Sequence, residues 1–135
     1  MSSHADQSAR SDACLVLAPD PIAVRQARAF VRQQCADRLD DDTCSSAVLL
    51  TSEIVTNAFL HGRSEARLAV TIGPQTIRVE VGDDNSRQPR LAEPDPDALD
   101  GRGLALVGLL ADDWGVRTET YGKTVWFTVA GRSAS

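Results

Sequence analysis

The chain has 135 residues, a length that suits one domain able to bury a core unaided. A hydrophobic share of 42% excludes wholesale disorder, and a formal net charge of -5 argues against a basic nucleic-acid or membrane-surface binder. Cys14, Cys35 and Cys44 have no metal-ligand spacing and read as small apolar fillers in a reducing compartment. No apolar run approaches the roughly 20 residues of a membrane-spanning helix, and residues 1–12 lack the apolar stretch of a signal peptide. The cytoplasm is therefore the expected location, with no membrane and no direct nucleic-acid partner.

Residues 1–12 are polar and Ser-rich and read as a flexible N-terminal arm, leaving 13–131 as the folded domain. Cys14-Leu15-Val16-Leu17 is a short apolar run that predicts a strand. Asp20-Pro21 then signals a helix start, because Asp caps and Pro suits the first helical position. That helix is expected to reach about Arg38, with Val24, Ala27, Val31 and Cys35 on its core face. Arg25, Arg28 and Arg32 share another face, which reads as solvated. Asp40-Asp41-Asp42-Thr43 gives a turn and a second cap. A helix follows from about Cys44 to Leu60, ended by His61-Gly62. Alternation over 66–72 and over 77–81, with Gly73-Pro74-Gln75 between, predicts a hairpin. The stretch from Asp83 to Asp100 holds Pro89, Pro94 and Pro96 without periodicity and reads as a long functional loop or lid. Gly101-Arg102-Gly103 opens a short third helix. A second hairpin, 116–120 with 125–129, turns at Tyr121-Gly122-Lys123. The expected class is α+β: a two-layer sandwich of a mixed, mostly antiparallel sheet with helices on one face.

The second helix carries a polar stripe. At about 100° per residue, Glu53, Asn57 and His61 stack along one face. Leu49 and Leu60 flank them on one side, Leu50 and Ile54 on the other, and Val48, Val55 and Phe59 point elsewhere. A helix apolar nearly all round is expected to be buried, so these three polar side chains should be partly buried too. Buried polar groups need hydrogen bonds or a metal, and such a break in pattern marks a candidate site. The Asn oxygen is a hard ligand suited to Mg²⁺. A Glu one turn away can accept a proton from a nucleophile. Gly101-Arg102-Gly103 at a helix start offers backbone N–H groups to phosphate. Asp83, at a strand end, offers a carboxylate to a base amine.

As a set these residues resemble the histidine-kinase-like ATPase superfamily, the group that includes gyrase and histidine kinases. They are most similar to the anti-sigma-factor serine/threonine kinases and their actinobacterial relatives. The resemblance rests on Glu53-x-x-x-Asn57-Ala58-x-x-His61-Gly62, Val79-Glu80-Val81-Gly82-Asp83, and Gly101-Arg102-Gly103-Leu104-Ala105-Leu106-Val107. It extends through Asp113-Trp114-Gly115 and Gly122-Lys123-Thr124-Val125-Trp126-Phe127, and covers roughly residues 13–130. It implies that ATP and Mg²⁺ are the ligands. Asn57 would coordinate the metal and Glu53 would be the catalytic base. Asp83 would bind the adenine amino group with support from Thr124. Gly101, Arg102 and Gly103 would meet the phosphates, and His61 completes the binding set. One departure stands out. The related proteins often read Asp-x-Gly-x-Gly at the first glycine loop, where this chain has Asp83-Asp84-Asn85-Ser86-Arg87 with neither glycine.

Two functions follow from the resemblance. One is an ATP-dependent serine/threonine protein kinase that regulates transcription by partner switching, binding a sigma factor and phosphorylating a small anti-sigma-factor antagonist protein. The alternative is a non-catalytic binding module that sequesters a sigma factor or antagonist with weak or no turnover. Glu53 favours the first and the absent glycines the second. Relatives of this kind are commonly homodimers, and the same is expected here.

Overall fold

Alternating apolar residues build one sheet, and two helices cover one of its faces. The computed structural model describes residues 11–61, 65–83, 108–119 and 122–131. Its elements are β1 (Ser11–Leu17), α1 (Ile22–Cys35), α2 (Asp41–His61), β2 (Ala66–Ile72), β3 (Thr76–Asp83), β4 (Asp113–Glu119) and β5 (Gly122–Ala130). The strands form a single five-stranded sheet in the order β1-β2-β3-β5-β4. Every neighbouring pair is antiparallel, so the described sheet is not mixed. Residues 108–110 are helical, where the third helix was expected. The fold class is as the sequence predicts.

Register places the core. Leu68 faces Val81, Val70 faces Val79, Ile72 faces Ile77, and Val79 in turn faces Phe127 across β5. These side chains share the inner face and are buried. α1 lies over β1 and β2 and presents Ala23, Ala27, Val31 and Cys35; α2 lies over β3 and β5 and presents Ala47, Leu50, Ile54 and Val55. Small residues on α1 let it pack closely against α2 and the sheet. Arg25, Arg28 and Arg32 are exposed, as expected.

Several boundaries differ from the sequence reading, each for a local reason. α1 stops at Cys35, and residues 36–38 form a turn instead of a last helical turn. α2 begins at Asp41, earlier than Cys44, because Asp40 caps it. The Asp40 carboxylate accepts from the Thr43 N–H at 3.2 Å and from the Thr43 hydroxyl at 2.6 Å. At the start of α1 the Asp20 carboxylate accepts from the Ile22 N–H at 3.0 Å, the capping role read from the sequence. β4 starts at Asp113, ahead of Val116, although Gly115 looks like a strand breaker. A Cβ on Gly115 would lie 2.9 Å from the Trp126 ring, so the glycine leaves room for the indole. α2 is not buried all round: Ser45, Leu49 and Thr56 face solvent.

The cysteine reading is corrected. Cys35 and Cys44 are not separate fillers but are joined as a disulfide, with Cα atoms 5.9 Å apart. The last residue of α1 and the first turn of α2 meet there, because the turn between them reverses the chain. Cys14 is free and exposed on β1.

The outer face of the sheet carries a cross-strand cluster. The Arg78 guanidinium lies 4.3 Å from the centre of the Trp126 ring and pairs with Glu80 at 2.9 Å. Arg117 approaches the same carboxylate at 3.5 Å. These half-exposed groups order the surface but add little stability as ion pairs.

Candidate functional site

Register and helix direction bring the polar residues to one end of the molecule. Gly131, just past β5, packs against Thr43 and Asp40 at the start of α2, and its N–H donates to Gln75 at 2.7 Å. The start of α2 is therefore fixed beside the far end of β5. From Thr43 to Asn57 the helix advances about 21 Å. From Gly131 back to Thr124 the strand covers about 23 Å. Asn57 thus comes level with Thr124, and β3, antiparallel to β5, ends at the same level. There Gly82 faces Thr124 and Asp83 faces Lys123.

Asn57 is 4% exposed, in keeping with the partly buried stripe the sequence predicts. Among the described residues no hydrogen bond to its amide is found. None of their fully enclosed side-chain nitrogen or oxygen atoms lacks a partner either, so the amide opens on a sliver of solvent. A buried Asn whose tip alone is reachable suits a ligand that arrives from outside. Glu53, one turn earlier, is half-buried at the margin of the covered face. Thr51, on the buried side, donates its hydroxyl to the Ala47 carbonyl at 2.7 Å and so is satisfied within the helix. The backbone of His61 is the last residue of α2.

Asp83 is half-buried and closes β3. It continues the parity of Ile77, Val79 and Val81, which face the helices. Thr124 is 8% exposed, and its hydroxyl lies 3.0 Å from where a Cβ on Gly82 would stand. Gly122 has φ +121°, and a Cβ there would collide with the Asp83 carbonyl and lie 3.0 Å from its Oδ1. Gly122 thus lets the backbone of Asp83 approach closely, a role the sequence reading missed by treating it only as a turn residue. Gly101, Arg102, Gly103 and the 84–100 stretch lie outside the described residues. No group of three or more His, Cys, Asp or Glu converges among the described residues, so no all-protein metal cage is formed there.

A buried Asn and a half-buried Glu stand one turn apart on the helix over the central strands, with an Asp at the strand end below. A model of the histidine kinase-like ATPase domain matches residues 17–129. The chain belongs to that family. The histidine kinase-like ATPase domain is a nucleotide-binding fold, and its matched span holds Glu53, Asn57, Asp83 and Thr124.

The solved structures agree on the fold. The crystal structure of the RsbU and RsbW domains of Rv1364c from Mycobacterium tuberculosis is similar with a TM-score of 0.70 and 22% identity, over 92% of this chain and 34% of that one. The Erythrobacter litoralis EL346 blue-light activated histidine kinase is similar with a TM-score of 0.55 and 19% identity, over 80% of this chain and 40% of that one. The chain thus spans well under half the length of either structure. No curated protein matches it by sequence. No helix among the described residues is long and apolar enough to cross a membrane.

Proposed function

We propose that this histidine kinase-like ATPase domain binds ATP with Mg²⁺ and acts as an anti-sigma-factor type serine/threonine protein kinase, regulating transcription by partner switching. The observation that carries the reading is the buried Asn57 amide, with no partner among the described residues, set at the end of the sheet where β3 delivers Asp83. One Asn oxygen fits Mg²⁺, which keeps water ligands and takes most of its other oxygens from nucleotide phosphates. The bound metal supplies neutralisation of phosphate charge. Asp83 would accept a hydrogen bond from the adenine amino group; the support expected from Thr124 does not fit the register, which pairs Thr124 with Gly82 on the opposite face of the sheet. Gly101, Arg102 and Gly103 would contact the phosphates, with His61 beside them at the helix end.

Glu53 would take the proton of a serine or threonine hydroxyl as that oxygen gains the γ-phosphoryl group and ADP leaves. The partners are a sigma factor and a small antagonist protein. The likeness to a chain that includes an RsbW domain supports a partnership of this kind. The missing glycines at 85 and 87 favour a second reading, a module that sequesters the same partners with weak or no turnover.

Calorimetry with Mg·ATP tests the first step. Asp83→Ala should weaken binding about 10- to 100-fold, the loss of one charge-assisted hydrogen bond. Unchanged affinity in a folded Asp83→Ala protein would overturn the adenine assignment. Nucleotide binding without phosphate transfer to a cognate antagonist would select the second reading.

A further inference from the structure

We propose that Cys35 and Cys44 form a reversible redox site, a thiol pair that a low-molecular-weight disulfide converts into a staple between α1 and α2. The pair stands apart from the nucleotide end of the domain and does not depend on the reading given above. Both cysteines are buried, at 0% and 4% exposure, with Cα atoms 5.9 Å apart, a spacing that a disulfide bridges without backbone movement. The reduced form is provided for as well. The Cys44 sulfur lies 3.2 Å from the Cys35 carbonyl oxygen and 3.8 Å from that of Leu39, so a thiol there has acceptors for its proton. One backbone therefore accommodates both states, which is the requirement for a reversible pair.

Access comes through the turn. Ala36, Asp37 and Arg38 are exposed, and the Asp40 cap that starts α2 lies next to them. Local opening of this turn uncovers Cys44 without disturbing the sheet. Its thiolate attacks one sulfur of the small disulfide and releases a small thiolate, giving a mixed disulfide. The Cys35 thiolate then attacks the Cys44 sulfur, the S–S bond to the small group breaks, and a second small thiolate leaves. The two protons lost by the cysteines end on the two released thiols, and the two electrons reduce the small disulfide. The staple closes a short loop that leaves α2 free at its Asn57 end and ties it to α1 at its start.

Oxidised glutathione, dithiothreitol and trypsin test the site. Cleavage after Arg38 falls between the two cysteines, placing Cys35 in peptide 33–38 and Cys44 in peptide 39–63. The glutathione-treated native protein should yield this pair linked, and dithiothreitol should separate it. The oxidised protein should melt roughly 5–10 °C above the reduced one, the effect of constraining a loop of this size. Cys14→Ser should keep both the linked pair and the shift, whereas Cys35→Ala with Cys44→Ala should lose both. Absence of the linked pair in oxidised native protein, or equal melting of the oxidised and reduced wild type, would overturn the proposal.

Discussion

Replacing Asn57 by leucine separates what the amide does for the fold from what it does for a ligand. The side chain is 4% exposed and finds no hydrogen bond among the described residues, so within that part of the fold the amide is buried without a protein partner. Leaving such a group unpaired costs about 1–3 kcal/mol, and the lower end applies because the tip still touches solvent. Leucine has a similar volume and keeps the packing against β3 and β5, so the variant should gain up to about 1 kcal/mol without ligand. With unfolding entropy of about 2.1 cal/mol/K per residue, a chain of 135 residues shifts by about 3–4 °C per kcal/mol. Mg·ATP reverses the order. At a concentration about 100-fold above Kd the wild type gains about 2.7 kcal/mol, or about 10 °C, and the variant gains little. Thermal melts of both proteins with and without Mg·ATP read the crossing directly. A variant that loses more than about 2 kcal/mol without nucleotide would refute the premise that the amide is uncompensated. A variant that rises with Mg·ATP as the wild type does would refute its place in the site.

Three further outcomes are expected. Glu53→Gln keeps shape and loses basicity, so it should bind Mg·ATP as the wild type does but transfer phosphate about 10²–10⁴-fold more slowly in a single-turnover assay; equal rates would remove Glu53 from the chemistry. Gly131→Ala places a methyl group against the Thr43 hydroxyl, 2.7 Å from Asp40 Oδ1 and 2.9 Å from Thr43 Cβ, and should cost about 2–3 kcal/mol in urea unfolding through overpacking and a displaced cap. Gly115→Ala presses on the Trp126 ring at 2.9 Å and should cost about 1–3 kcal/mol, with a changed tryptophan emission as Trp126 leaves Arg78.

Period-two alternation made β2 and β3 legible in the sequence almost to the residue, because Ala66, Leu68, Val70 and Ile72, and Ile77, Val79 and Val81, line one face of each. α2 was legible through its cap, its length and its terminal His-Gly, and the stripe of Glu53 and Asn57 through a break in its apolar surroundings. What escaped was information carried by contacts between distant segments. The sequence starts this strand at Val116, and the place of Gly115 in it shows only once Trp126 is set over it, as Gly122 reads as a turn residue until Asp83 is found beside it. Leu49 reads as core, yet the helix turns it to solvent, since a periodic pattern does not say which arc a neighbour covers. The Cys35–Cys44 contact escaped for a related reason: nine residues of separation mean nothing until the turn that folds them back is known.

The order of the strands bears on when the domain can fold as it is made. β5 lies between β3 and β4, so the last strand in the chain occupies an interior position of the sheet. Its partners in β3 precede it by some distance: Asp83 pairs with Lys123 and Thr76 with Ala130. Before β5 leaves the ribosome, α2 lacks Val125, Phe127 and Val129 beneath it, and β3 has an open edge. From the completion of β3 until β5 arrives about forty residues later, the emerging chain therefore holds an apolar helix face and an unpaired strand edge, the condition in which nascent chains aggregate or recruit chaperones. Folding is then a late event, set by the arrival of one strand, and the sheet closes only when that strand inserts.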